Sequence, residues 1–147
     1  MMHVIMLSWE YPPRVIGGIA RHVEDLAKAL VRQGVKVDVI TCGHDKAPEE
    51  EDDEGVNVIR IPFKNPSPPD FITWVMQMNL NLMEKSIEQV AKGADIIHAH
   101  DWVVAYSAKA LKHAFNLPLI ATIHATEYGR NSGLHNDLQR YISNVEW

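Results

Sequence analysis

One cysteine, Cys42, stands in a chain of 147 residues. A lone thiol excludes an internal disulfide and any cysteine-rich zinc site, and it is the usage expected of a reducing compartment. No apolar run approaches the roughly 18 residues that span a bilayer, and no basic stretch precedes the short apolar segment at the N-terminus. Neither a transmembrane segment nor a secretion signal is expected, and the protein reads as cytoplasmic. Positive charge is scarce as well: 14 Lys and Arg face 19 Asp and Glu, a formal charge of −5. A general nucleic-acid binder needs a basic face, so that class is disfavoured. A small phosphorylated ligand at a locally positive site is not. The length fits one domain, 1–147, large enough to bury a core without cross-links.

What is present begins with Val4-Ile5-Met6-Leu7, an apolar run that breaks into Trp9-Glu10-Tyr11-Pro12-Pro13, reaches Gly17-Gly18 and then becomes helical. The two prolines remove donors and fix φ, so a central strand cannot continue past Ser8. Adjacent glycines permit a sharp turn and a close approach to a ligand, at the end of a helix where unpaired N–H groups and the dipole favour an anion. A phosphate suits that place. A plain strand-to-helix turn is the other use of such a pair.

The first helix is predicted over Gly18 to Gln33, with Ile19, Val23, Leu26 and Leu30 as its buried stripe and Arg21, Glu24, Lys28 and Arg32 in water. Gly34 ends it, and Val35 to Thr41 alternates as a strand. Residues 43–55 turn polar and acidic. The carboxylates at 49–54 lack the spacing and turn glycine of a calcium loop, so the segment reads as a mobile surface loop without chemistry. Val56 to Ile61 is a short strand, and 65–69 (Asn-Pro-Ser-Pro-Pro) an irregular connection. A second helix spans Asp70 to Lys92, with stripes Phe71, Val75, Met78, Leu82 and Met76, Leu80, Met83, Ile87, Val90 that call for cover on two sides. Ala94 to Ala99 is a buried strand. His98-Ala99-His100-Asp101-Trp102 leads into a third helix with Val104, Ala108, Leu111 and Phe115 inward. Leu119 to Ile123 is the fifth strand, 124–133 a polar loop, and a last helix starts near Leu134, with Leu134, Leu138, Tyr141 and Val145 on one face. Its pattern has no stop signal before Trp147, as expected of a domain cut from a longer polypeptide.

Strands alternating with helices specify a mainly parallel sheet with helices on both faces, a Rossmann-like three-layer α/β sandwich. Ligands then bind beyond the carboxyl ends of the strands, where the strand order reverses. That rule gathers Gly17-Gly18, His100-Asp101 and His124 around one crevice. Asp101 also reads as a helix N-cap and His98 as a hydrogen-bonded core residue. A metal site of His98, His100, Asp101 and His124 has no supporting pattern of partners, and no metal is expected. The dinucleotide fingerprint fails: the glycines are adjacent, eight residues separate Ser8 from Gly17, and no acidic residue ends the second strand.

Taken together, Ser8-Trp9-Glu10-Tyr11-Pro12-Pro13, Gly17-Gly18-Ile19-Ala20-Arg21-His22-Val23, His98-Ala99-His100-Asp101-Trp102 and Thr122-Ile123-His124 resemble the N-terminal domain of retaining GT-B-fold glycosyltransferases, the group of glycogen and starch synthases and their broad sister family. The resemblance covers essentially the whole chain in order. It implies the acceptor-side half of a two-domain enzyme that moves a hexose such as glucose from a nucleotide-sugar, UDP- or ADP-glucose for instance, to a saccharide acceptor such as a glucan. The donor-binding C-terminal domain is absent from this chain, so the fragment alone is expected to be inactive. Gly17 and Gly18 are implied to meet the donor diphosphate; of the two implied catalytic residues, His124 would contact the transferred sugar near its reacting carbon and Asp101 would line the acceptor side. His100, Trp102, Glu10 and Tyr11 are implied to contact substrate, with no metal or other cofactor. Bacterial-type glycogen synthases have Lys-x-Gly-Gly at the loop; Val15 stands there instead, after Arg14, which favours the sister family. A non-catalytic sugar- or phosphate-binding module of the same fold, and an epimerase-type enzyme, are the alternatives.

Overall fold

The computed structural model describes residues 1–62 and 68–147. In chain order it contains β1 (His3–Leu7), α1 (Gly18–Arg32), β2 (Lys36–Cys42), β3 (Glu50–Asp53), β4 (Val56–Ile61), α2 (Phe71–Val90) and β5 (Ile96–His100). A 3₁₀ turn (Trp102–Val104), α3 (Ala105–Phe115), β6 (Leu119–Thr122), α4 (Glu127–Asn131) and α5 (Asp137–Glu146) follow. The six strands form one sheet in the order β3-β4-β2-β1-β5-β6, parallel except for β3. β1 is central, with Met6 opposite Val39 of β2 on one side and His98 of β5 on the other. The order reverses there, so the expected crevice opens at the carboxyl ends of β1 and β5.

Burial on both sheet faces explains the apolar strands. Val4, Met6, Val37, Val39, Val56 and Val58 pack under α1. Ile5, Leu7, Ile40, Ile59 and Ile97 pack on the opposite face against Val75, Met78 and Leu82 of α2, Leu111 of α3 and Ile142 of α5. The three-layer expectation holds. Within α1 the fully buried residues are Ala20, Val23 and Ala27, with Ile19, Leu26 and Leu30 half-buried beside them. Alanines let the helix axis approach the sheet, which a reading based on large side chains overlooks.

The acidic segment corrects the sequence reading. Glu50–Asp53 is an edge strand, antiparallel to β4, not a mobile loop. Its charges are compensated. Lys28 Nζ lies 3.0 Å from Asp53 and 3.1 Å from Glu54, and buried Arg60 donates to Glu51 at 2.6 Å. Charged side chains also protect a free sheet edge from further pairing. Glu24 and Lys28, expected in water, are therefore half-buried in this ion network.

α2 is capped by Asp70, whose carboxylate accepts from the Thr73 N–H at 2.8 Å. Its first stripe is buried apart from Phe71, but the second is covered only in part: Met83 and Val90 pack half-buried against the core, while Met76, Leu80 and Ile87 are exposed. The helix is instead fixed to α3 by buried Asn79, whose amide donates to the carbonyls of Val75 and Val103 and accepts from the Ser107 N–H. Phe115 is exposed at the end of α3. The expected polar loop at 124–133 contains α4, capped by Thr126, and the last helix starts at Asp137 behind Asn136, with Ile142 buried and Leu138 exposed. Of the expected irregular connection at 65–69, residues 65–67 lie outside the described residues. Burial pushes the Cys42 thiol up to about 12, so it is unreactive core.

Arg60 links these parts to the loop above β1. Its guanidinium, almost fully buried, donates to the carbonyls of Pro48 and Pro12 and to Glu51. Arg60→Met leaves those acceptors without their donor and is expected to lower stability by about 2–3 kcal/mol in urea unfolding. An unchanged midpoint would show that the guanidinium is not what holds the proline loop and β3 in place.

Candidate functional site

The loop after β1 is organised by an internal anion. Glu10, fully buried, points its carboxylate at the start of α1 and accepts from the N–H groups of Ile16 (2.7 Å), Gly17 (3.0 Å) and Ala20 (3.0 Å). The expectation that a ligand anion takes this helix end is therefore met in part by the protein itself. Gly18 and Ile19, the first two residues of α1, keep N–H groups without an acceptor among the described residues. Neither glycine is needed for an unusual φ. Gly17 is extended (φ −149°), and a Cβ on Gly18 would meet nothing within 4 Å. The fold itself does not demand glycine at 18; open space next to unpaired donors is what the residue provides.

Opposite this loop stands the end of β5. Asp101 adopts φ 68° and ψ 170°, a backbone state that L residues rarely occupy and that costs about 1–3 kcal/mol. It is held by its N–H to the Thr122 carbonyl (2.8 Å) and by its carboxylate on the Trp102 N–H (2.9 Å). Burial pushes its carboxyl up, against the lowering pull of the Trp102 N–H and Arg130. The N-cap reading and the site reading of Asp101 both hold, because the capping side chain borders the cleft.

His124 follows β6, and its Nε2 lies 3.3 Å from Nδ1 of His100. His100 is fully buried and stacks 4.2 Å from His98, which bonds Thr122 Oγ1 at 2.8 Å. His22 of α1 closes the group, with its ring centroid 4.8 Å from that of His124. Burial, and then repulsion by its neighbours, depresses His100 to about 3; His98 and His124 are lowered by the same causes, although Asp101 and Glu10 pull His124 back up.

These elements enclose a cleft of about 500 Å³ bordered by Glu10, Gly17, Gly18, Asp101, Trp102 and His124. Six of the eight residues chosen from the sequence thus converge. Two do not. Tyr11 is fully buried under α1 with its hydroxyl on Asp53 (2.8 Å), and His100 lies behind His124 instead of in the cleft. Residues not chosen from the sequence complete the walls: Trp9, Ile16, Phe71 and Ile142 on the apolar side, Glu127 and Arg130 of α4 on the polar side. His22 was also passed over, although its place four residues after Gly18 sets it one helical turn along, on the same face.

The glycosyltransferase family 4 model matches residues 16–147. The chain belongs to that family. It is 42% identical over 146 residues to an uncharacterized glycosyltransferase of Methanocaldococcus jannaschii, covering 99% of this chain and 37% of that protein. It is 35% identical over 161 residues to a glycogen synthase of Mycobacterium tuberculosis, covering 99% and 39%. The chain therefore spans about two fifths of the length of these family relatives. Among solved structures, the sucrose-phosphate synthase of Thermosynechococcus elongatus superposes with a TM-score of 0.76 at 20% identity, over 99% of this chain and 39% of that one. The catalytic domain of starch synthase IV from Arabidopsis thaliana, bound to ADP and acarbose, gives 0.63 at 22%, over 86% and 34%. The fold is that of GT-B glycosyltransferases, as expected. Among the described residues no helix is long and apolar enough to cross a membrane.

The histidine layer has a consequence for stability in this family 4 domain. A base held below its ordinary value in the fold is neutral there, while the unfolded chain takes up the proton first. Stability is then fully present above pH about 6.5 and falls as pH drops towards 3, by up to about 1.4 kcal/mol per pH unit per group. Thermal melts from pH 7.5 to 5 should show that loss, and His100→Asn should flatten it. Parallel slopes for both proteins would exclude His100 as its source.

Proposed function

We propose that this domain is the acceptor-side half of a retaining hexosyltransferase, which moves a glucose-type sugar from a nucleotide-sugar to a saccharide acceptor within a longer, two-domain protein. The observation that carries the reading is the pair of unclaimed N–H groups at Gly18 and Ile19, beside the Cβ-free space of Gly18 and across one cleft from His124 and Asp101. The glycogen synthase among the relatives supports a glucosyl donor, such as UDP- or ADP-glucose.

In this reading the donor diphosphate lies on the first turn of α1, where amides and dipole stabilise the charge that grows as the sugar–phosphate bond breaks. Glu10 does not compete for that charge. It fixes the amides it binds and thereby orients the two it leaves. His124, neutral at pH 7, offers a ring nitrogen to the transferred sugar, and buried His100 sets the ring's orientation through their shared hydrogen bond. Asp101 faces the acceptor from its strained backbone position. Phe71 and Trp102, edge-to-face at 6.1 Å, supply an apolar wall for a sugar ring. The leaving phosphate takes the acceptor's proton, and configuration at the anomeric carbon is retained. A second domain supplies most donor binding, and no metal takes part in transfer.

Gly18→Val fills the space above the free amides, and His124→Ala removes the ring at the sugar. In the full-length transferase each is expected to lower sugar transfer about 10²-fold or more, with the circular dichroism spectrum unchanged. Transfer at the unmodified rate by both variants would leave the domain as a non-catalytic binding module.

A further inference from the structure

Among the described residues that border the cleft, Arg130 is the one Lys or Arg. It belongs to α4, and its side chain is 51% exposed. The turn that carries it is fixed. Thr126 caps it through the Gly129 N–H at 3.1 Å. Buried Glu127 is locked from both ends: the Glu146 carboxylate of α5 accepts from its N–H at 2.9 Å, and its Oε1 accepts from Asn131 Nδ2 at 2.8 Å.

These contacts place the guanidinium without using up its donors. Nη1 lies 3.5 Å from Glu127 Oε2 and Nη2 lies 3.4 Å from the Ala125 carbonyl, both longer than the roughly 2.7–3.2 Å of a well-formed bond. Arg60 shows what a structural arginine looks like in this fold: almost fully buried, with bonds of 2.6, 2.8 and 3.1 Å. The carboxylates near Arg130 already have partners of their own. Asp101 accepts from the Trp102 N–H, Glu146 from the Glu127 N–H and Glu127 from Asn131. Arg130 pulls the carboxyls of Asp101 and Glu146 down while burial pushes them up, so both stand within its electrostatic reach.

We propose that Arg130 selects a charged acceptor: a sugar or polyol carrying a phosphate monoester or a carboxylate, whose oxyanion takes the guanidinium fork while a hydroxyl of the same molecule meets Asp101. This rests on the transferase reading and narrows its saccharide acceptor to an anionic one. The cleft then has two anion subsites, the amides of Gly18 and Ile19 for the donor and Arg130 for the acceptor. A planar guanidinium binds two oxygens of one anion at once, which an ammonium cannot do. A neutral acceptor in the same place would strip water from the cation and return only hydroxyl contacts, so it is selected against.

The test is acceptor preference in the full-length transferase with UDP- or ADP-glucose at saturation. Glucose, fructose and myo-inositol are each offered beside their monophosphates, with glucuronate as the carboxylate arm, and kcat/KM is measured for every acceptor. At least one charged acceptor is expected to exceed its neutral parent by about 10²-fold or more, and its identity tells phosphate from carboxylate. Arg130→Gln, at an exposed side chain, should erase that preference by raising the acceptor KM. Arg32→Gln, exposed at the far end of α1, should keep it. Equal use of charged and neutral acceptors, a preference retained in Arg130→Gln, or its loss in Arg32→Gln would each overturn the proposal and leave the transferase reading standing. Absence of transfer to every acceptor, charged or neutral, would overturn the transferase reading and this proposal with it.

Discussion

The carboxylate of Glu10 at the start of α1 is the interaction on which the site depends. A helix end leaves its first N–H groups unpaired, and the buried N–H of Ala20 would be costly without an acceptor. Glu10 supplies one from only two residues beyond the strand-to-loop junction at Ser8, so the chain returns on itself and the glycine loop takes a defined shape. The same contact divides the donors into three that are structural and two that remain for a ligand. A fully ligand-dependent loop would have to order itself at each binding event; this one is already ordered.

The rest of the fold delivers complementary groups to that loop. Placing β1 between β2 and β5 puts the reversal of strand order directly beneath it. Parallel pairing of β5 with β6, with His98 opposite Ile120 and His100 opposite Thr122, then brings the ends of both strands to the same height. That register is why His100 and His124, 24 residues apart, share a hydrogen bond. Asp101 stands in a strained backbone state at the same height. Strain of this kind persists where surrounding bonds over-determine it, and the bonds to Thr122 and Trp102 do so here.

Much of this was legible in the sequence because it rests on periodicity and on topological rules. Alternating strands and helices specify the parallel sandwich, and the rule for switch points gathers Gly17, Gly18, His100, Asp101 and His124 at one crevice, of which all but His100 border the cleft. The departures have local causes. Glu50–Asp53 has no apolar alternation to mark it as a strand; its pairing is sustained by Lys28, Arg60 and the backbone of β4, all distant in sequence. Tyr11 stands next to Glu10 in the motif, yet the chain turns between them, and its ring enters the core under α1. His22 carries no sequence signal beyond its helical spacing from Gly18, since its partners arrive from β5 and the turn after β6. Arg130 and Glu127 were hidden because a five-residue helix has no resolvable period.

The central claim is that the cleft takes a diphosphate on the two amides that Glu10 leaves unclaimed. Amide ¹H–¹⁵N spectra recorded while a nucleoside diphosphate-glucose is titrated into the protein test it most directly. The account predicts large, saturable shifts at Gly18 and Ile19, with smaller ones at Ile16, Gly17 and Ala20, whose N–H groups stay on the carboxylate. Shifts confined to the neighbouring groove around Lys109 and Lys112 of α3, with Gly18 and Ile19 unmoved at saturation, would contradict it.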